Sequence, residues 1–158
     1  MLKKLISICF LFTVSQFCFA NTSTTDDLFR TVIKSVIDND FALMATTYHP
    51  DAVLVSPKKT TPITAALKRW QIEGNKLHAQ GGRATLNFRF KKRIVNESTA
   101  FDVGIYRYSM IDKSGKEKVY YSQVSYLHVK KDNKWLTMME HQTANATEEQ
   151  WLALANWQ

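Results

Sequence analysis

Two acidic residues, Asp102 and Glu140, stand in stretches where polar and apolar residues alternate, the pattern of a strand with one buried face. A carboxylate among apolar side chains is desolvated, and desolvation disfavours its charged form. A carboxyl group shifted in this way acts as a general acid or base near neutral pH. The two acids are therefore the candidate catalytic residues. The alternative is that each is an ion-paired or solvent-facing acid with a structural role.

Strict alternation predicts the neighbours of each acid. Asp102 shares its face with small residues and one aromatic residue: Ala100, Gly104 and Tyr106. Glu140 shares its face with Leu136 and Met138. A glycine inside a strand often marks a bend or a close approach by another group, so Gly104 predicts space in front of Asp102. We expect Asp102 to line an internal cavity with Tyr106 and Glu140, and Met138 to form the neighbouring wall.

Four further residues are candidates for contact with a ligand. Tyr48 and His49 precede Pro50 in a short linker, where the hydroxyl of Tyr48 is able to donate to a ligand oxygen. Trp70 lies on the apolar face of a predicted helix, and His141 follows Glu140 on the opposite face of its strand. An imidazole near a strand end ionises close to working pH. The alternative for both histidines is a hydrogen-bonded packing role.

No metal or cofactor is predicted. The four histidines, at positions 49, 78, 128 and 141, have no ligand spacing, and there is no HExxH sequence. The sequence has no phosphate-binding loop, dinucleotide fingerprint or nucleophile elbow either.

The elements that must position these residues are helices followed by strands. Apolar residues recur at helical spacing after Thr25, and Pro62 opens a second helix that is predicted to stop at Gly74. Residues 84–142 then read as four consecutive strands joined by tight turns, one of them at Asp132 and Asn133. This order predicts an α+β fold: a cone-shaped, curved antiparallel sheet wrapped around the N-terminal helices.

Residues 1–20 have the pattern of a secretory signal peptide, with Lys3 and Lys4 before an apolar run and Ala20 at the cleavage site. We expect residues 21–158 to form a single domain that is exported to the periplasm or secreted. Both cysteines, Cys9 and Cys18, lie within the leader, so that domain has no disulfide. The alternative is an uncleaved membrane anchor, which the short and interrupted apolar run disfavours.

Charge excludes one class of partner. Without Lys3 and Lys4, 19 Lys and Arg face 14 Asp and Glu, so the net charge falls from +7 to +5. Most of the basic residues lie at predicted strand ends and turns rather than on one face interleaved with aromatic residues, so nucleic acid is not an expected partner.

The chain resembles the SnoaL-like and ketosteroid-isomerase-like group of the nuclear-transport-factor-2-like superfamily. The resemblance covers nearly all of residues 21–158 and rests on element order and four loose motifs: Tyr48-His49-Pro50-Asp51-Ala52, the helix with Trp70, Ala100-Phe101-Asp102-Val103-Gly104, and Asn133-Lys134-Trp135 with Glu140-His141-Gln142. It implies a pocket between sheet and helices, and a homodimer through the outer face of the sheet. Relatives carry pocket carboxylates near Asp102 and Glu140. The tyrosine that isomerase relatives carry on the first helix has no counterpart here.

Two functions follow. The first is a non-catalytic small-molecule-binding or accessory module that uses the pocket. The alternative is a cofactor-free isomerase, cyclase or hydrolase that uses Asp102 or Glu140 for proton transfer on a small apolar substrate. The missing helix-one tyrosine favours the binding module. Apolar residues on both faces of the central strands predict the homodimer independently.

Overall fold

The computed structural model describes residues 24–157, so the predicted leader at residues 1–20 lies outside the described part of the chain. Four helices are present: α1 (Thr25–Ile37), α2 (Phe41–Ala45), α3 (Ile63–Ala79) and α4 (Glu148–Leu152). Six strands are present: β1 (Tyr48–Val55), β2 (Thr60–Pro62), β3 (Arg83–Val95), β4 (Thr99–Ile111), β5 (Glu117–Lys131) and β6 (Lys134–Asn145). The described residues therefore form the predicted α+β fold.

The six strands form one curved, open sheet in the order β2-β1-β6-β5-β4-β3. Strands β3 to β6 are an antiparallel meander, which confirms the prediction that residues 84–142 lie in a single sheet. Strand β1 joins the edge of β6 in parallel. Asp132 and Asn133 have φ angles of 50° and 59°, as a two-residue hairpin loop of matching twist requires.

Helix α1 packs against the concave face of the sheet. It begins with a capping box in which Thr24 and Asp27 satisfy each other's free backbone amides. Phe29 is fully buried, and its ring lies 4.9 Å from that of Phe88 and 4.7 Å from that of Phe90. These contacts anchor the N-terminal part of the helix on β3.

Helix α3 is longer than predicted. Gly74 does not stop it, and the helix continues to Ala79 before Gly81 takes a φ of 76°. A Cβ atom at position 74 would lie 2.5 Å from Oδ1 of Asn39 and 2.7 Å from the ring of Phe41. This glycine therefore lets α3 pack closely on the turn between α1 and α2, rather than ending the helix.

A bulge in β3 changes which residues face inward. Phe90 pairs with Gly104 and Lys92 with Val103, so Lys91 is an extra residue. Beyond the bulge Arg93 pairs with Asp102 on the concave face. A Cβ atom on Gly104 would lie 2.2 Å from the carbonyl oxygen of Arg89. Gly104 therefore marks a close approach by the backbone of the bulged strand and not an open space.

A second bulge, in β6, reverses the predicted faces of that strand. Leu127 pairs with Met139 and His128 with Thr137, which leaves Met138 as the extra residue. Glu140 consequently lies on the concave face with Thr137 and not, as strict alternation predicted, on a face with Leu136 and Met138. Alternation is broken because the two residues at a bulge oppose a single residue on the partner strand.

Candidate functional site

A cavity of about 470 Å³ lies between the concave face of the sheet and helices α1, α2 and α3. Most of its lining is apolar or aromatic, and six tyrosines from β1, β4 and β5 contribute: Tyr48, Tyr106, Tyr108, Tyr120, Tyr121 and Tyr126. Glu73, His78 and Arg83 line the cavity where it meets solvent, since all three are exposed. The volume is in the range that holds a small organic ligand.

Glu140 is the buried charge-bearing residue of the cavity, with 5% of its surface exposed. Its two carboxyl oxygens each accept one hydrogen bond. Tyr48 Oη donates to Oε2 at 2.7 Å, and Gln142 Nε2 donates to Oε1 at 2.8 Å. Among residues 24–157 no lysine, arginine or histidine forms an ion pair with it.

Burial governs the proton equilibria at this end of the cavity. It raises the pKa of Glu140, while the hydrogen bonds from Gln142 and Tyr48 lower it in part. Burial raises the pKa of Tyr48 and of Tyr126 well above the ordinary value, and that of Tyr106 to about 12. The charge of Glu140 adds to all three shifts, as expected of groups around one carboxylate. The tyrosines are therefore hydroxyl donors at neutral pH.

Asp102 lies in a different environment, with no exposed surface. Arg93 donates from Nε to its Oδ1 at 2.7 Å. The same guanidinium donates to Asp26 and Thr25 of α1 and lies 4.4 Å from the centre of the Phe90 ring. Arg93 therefore links strands β3 and β4 to the first turn of α1.

His128 completes this buried cluster. The imidazole is fully buried, with Nε2 3.2 Å from Oδ2 of Asp102 and Nδ1 3.2 Å from Oγ1 of Thr137. Its ring stacks on that of Tyr126 at 5.7 Å. We name Arg93, Asp102, His128 and Thr137 the closed cluster, because none of them lines the cavity.

The expectation that Asp102 lines the cavity with Tyr106 and Glu140 is therefore not met. Asp102 shares the concave face with Tyr106, as alternation predicted, but the β3 bulge brings Arg93 over it. The guanidinium and helix α1 fill the volume that the sequence had indicated as open. Asp102 is a structural ion-pair partner in this arrangement.

Of the remaining predicted ligand contacts, three line the cavity and three do not. Tyr48, Trp70 and Tyr106 line the cavity together with Glu140. Met138 and His141 do not, because the β6 bulge removes Met138 from the wall and His141 pairs with Ser125 on the outer face. His49 does not line it either, since its Nδ1 accepts from the backbone amide of Asp51 at 3.2 Å.

Two cavity residues that adjoin Glu140 were not predicted from the sequence. Gln142 lies two residues after Glu140, so period-two alternation alone would have placed it beside the carboxylate. Tyr126 is the cross-strand neighbour of both Glu140 and Asp102. No local pattern marks it, because strand register sets that neighbourhood.

The described residues define two further properties. No group of three His, Cys, Asp or Glu between residues 24 and 157 is placed to hold a metal ion. In the same part of the chain no helix has the length and apolar character needed to cross a membrane.

Comparison with known proteins gives one family match and several matches of fold. The model of the calcium/calmodulin dependent protein kinase II association domain family matches residues 24–146. A candidate association domain of this kind from Xanthomonas campestris is 20% identical, over 76% of this chain and 84% of its own, with a TM-score of 0.55. No curated protein matches the sequence.

Two other solved structures extend the likeness. A ketosteroid isomerase-like protein from Erwinia carotovora atroseptica is 14% identical, over 77% of this chain and 93% of its own, with a TM-score of 0.58. A nuclear-transport-factor-2-like protein with a cystatin-like fold from Novosphingobium aromaticivorans is 13% identical, over 78% and 82%, with a TM-score of 0.62. At these identities the three structures share the fold alone.

Proposed function

The chain belongs to the calcium/calmodulin dependent protein kinase II association domain family of the nuclear-transport-factor-2-like superfamily, and from that premise we propose that it is an exported, non-catalytic domain that binds a small, largely apolar molecule. The superfamily resemblance read from the sequence is confirmed. Fold alone does not select an activity, so the proposal is argued from the cavity.

One observation carries the proposal: a largely apolar cavity of about 470 Å³ that has a hydrogen-bonded polar group, Glu140 with Tyr48 and Gln142, at its buried end. Apolar walls supply affinity, and a few placed hydrogen-bonding groups supply orientation. Tyr48, Gln142 and Glu140 already bond to one another, which pre-orders the site. Export is supported only by the charged start and apolar run of residues 1–20.

Blocking the cavity tests the proposal. Ala84 lines it on β3, whereas Asn87 lies on the opposite face of the same strand. We expect Ala84→Phe to abolish the binding of 4-phenylbutanol, followed by amide chemical shifts, while Asn87→Phe leaves it unchanged. Equal binding by both variants, or no binding by the parent protein, would contradict a ligand-binding cavity.

An enzyme is the second candidate, because burial raises the pKa of Glu140 toward the range that suits a general base. Of the two acids predicted as catalytic residues, Asp102 and Glu140, only Glu140 lines the cavity. Its test is deuterium uptake by 4-phenyl-2-butanone in heavy water. Uptake above the buffer rate that Glu140→Gln removes would favour catalysis, and uptake at the buffer rate favours the binding module.

The proposal includes association of two copies through the outer face of the sheet. Five apolar side chains form a continuous row there, paired from strand to strand: Ile94, Phe101, Leu127, Met139 and Val53. Each is at least partly exposed, and Ile94 is 39% exposed. A row of this kind marks an interaction surface. The family name itself refers to association.

Light scattering tests the dimer. We expect a dimer mass at micromolar concentration for the parent protein and a monomer mass for Leu127→Lys, which places a charge in the centre of the row. Ile72→Lys is the matched control, because Ile72 is 61% exposed on α3, away from the sheet. A monomer mass for the parent protein would refute the dimer.

A further inference from the structure

The hydrogen bonds at Glu140 select the ionised form of this side chain. One donor is directed at each carboxyl oxygen, Tyr48 Oη at Oε2 and Gln142 Nε2 at Oε1. A carboxylate is an acceptor at both oxygens, whereas a protonated carboxyl group must place its own O–H on an acceptor. Two donors on two oxygens therefore favour the negatively charged form.

The same negative charge has no positive partner in the described part of the chain. Asp102, the other buried carboxylate of the concave face, has the guanidinium of Arg93 at 2.7 Å. Glu140 has no such partner, and Arg83, the arginine that lines the cavity, is exposed at its mouth. Buried charges in proteins are ordinarily paired, so this one calls for a cation from elsewhere.

The cavity beside Glu140 offers what a cationic nitrogen needs. Tyr48, Tyr106 and Tyr126 surround the carboxylate closely enough for its charge to raise the pKa of each. Aromatic rings attract a cation through their negative faces, and tyrosine is one of the rings that does so. Apolar side chains such as Phe88, Leu86 and Trp70 line the remaining walls and suit a hydrocarbon body.

We infer that the ligand of this cavity is an amphiphilic amine, whose cationic nitrogen pairs with Glu140 among the tyrosine rings and whose apolar body fills the outer part of the cavity. This inference rests on the proposed binding function. The formal net charge of the chain is +7, so long-range attraction favours anions. A preference for a cation must therefore come from the cavity itself.

Three probes of one shape test the inference: 4-phenylbutylamine, 4-phenylbutanol and 4-phenylbutanoate, which differ only in the charge of the terminal group. Titration calorimetry and amide chemical shifts give their dissociation constants at pH 7.5. We expect the amine to bind about ten-fold or more tightly than the alcohol, since a hydrogen bond to a charged partner is the stronger kind. The carboxylate is expected to bind weakest.

Two variants assign the preference to one residue. Glu140→Gln keeps the shape of the side chain but removes its charge and replaces one accepting oxygen by a donating NH2 group, so the amine should lose its advantage and bind no more tightly than the alcohol. Glu73→Gln removes an acid at the mouth of the same cavity and should change the amine affinity by less than about two-fold, because exposed charges are screened.

Acidification should release the amine. Tyr48, Tyr106 and Tyr126 face Glu140 and stay protonated below pH 9, while Glu73, His78 and Arg83 line the mouth. As Glu140 takes up a proton the amine loses its partner, so its affinity should fall toward low pH while that of the carboxylate probe rises. His78→Gln should keep this profile, which excludes the imidazole as its source.

The outcomes separate the two proposals. Equal affinities for amine and alcohol, or a tighter carboxylate, would overturn the cation inference and leave the binding function in place. If the parent protein binds none of the three probes, both the binding function and the cation inference would be refuted. An amine preference that survives Glu140→Gln would also overturn the inference.

Discussion

The two buried carboxylates of the concave face show how one sheet supports two opposite uses of a charge. Asp102 and Glu140 lie in the same row, on either side of Tyr126. Asp102 is held by Arg93 and faces His128, and helix α1 covers the guanidinium. Glu140 has only neutral donors among residues 24–157, and it borders the cavity. Both side chains are buried carboxylates on the same face of the sheet. They differ in their hydrogen-bonding partners, and this difference makes Asp102 a structural acid and Glu140 a candidate binding residue.

Removing the cation from the closed cluster should give the largest effect. Arg93→Met leaves Asp102 fully buried without its arginine, and breaking a buried pair from one side costs about 3–5 kcal/mol of unfolding free energy. Urea denaturation measures it. Arg107→Met is the matched control, because Arg107 pairs with Glu117 at the surface and such pairs are worth about 0–1 kcal/mol.

Ligand binding by Arg93→Met also tests the difference between Asp102 and Glu140. Arg93 does not line the cavity, so probe affinity at Glu140 should be unchanged in the folded Arg93→Met protein. Equal stability losses for Arg93→Met and Arg107→Met would show that the closed cluster is not a buried ion pair. If Arg93→Met loses affinity for the probes but keeps its melting temperature, Asp102 and Arg93 would instead be part of the binding site.

The bulge that creates the closed cluster is the next target. Gly104→Ala places a methyl group against the carbonyl oxygen of Arg89, at 2.2 Å before any shift. Overpacking of this kind costs about 1–3 kcal/mol. Thermal denaturation measures the loss, and the amide shifts of Arg93 report whether the bulge moves. A variant as stable as the parent would mean that the backbone approach at Gly104 is not a tight one.

Tyr48→Phe tests the hydrogen bond that holds Glu140. Leaving a buried acceptor without its donor costs about 1–3 kcal/mol, and the pKa of Glu140 should rise further because a bond that favours its charged form is gone. Urea denaturation at pH 7.5 measures the stability. Tyr121→Phe is the control, since its hydroxyl bonds to exposed Glu148 at 3.2 Å and should contribute little.

The smallest effect is the pH dependence of Glu140 itself. Its pKa is raised on folding above the ordinary value of 4.5, so the folded state holds the proton more tightly than the unfolded state. The contribution of this group to stability is fully present below pH 4.5 and is lost as pH rises through the raised value.

Comparison with Glu140→Gln isolates that contribution. The difference in unfolding free energy between parent and variant should move in favour of the variant, by about 1.4 kcal/mol per unit of pKa shift, as pH rises from 4.5 to 8. Urea denaturation across this range measures it. A constant difference across the range would show that burial does not perturb Glu140.

Much of the fold follows from local signals. Period-two alternation predicted the meander over residues 84–142, the Asp132-Asn133 turn predicted a hairpin, and helical spacing after Thr25 predicted α1. The end of α3 was wrong because Gly74 is a packing glycine and not a cap. Half of the candidate ligand contacts line the cavity: Tyr48, Trp70 and Tyr106 do, whereas His49, Met138 and His141 do not.

The sequence by itself determined the element order, the superfamily and the presence of two acids on strands with a buried face. Only the tertiary structure decided which acid is paired. One extra residue in β3 turns Arg93 inward over Asp102, and one in β6 turns Glu140 toward Tyr48. Bulges depend on how two strands register against each other, and local alternation carries no information about that pairing. One inserted residue in each of two strands therefore distinguishes the ion-paired Asp102 from Glu140 beside the cavity.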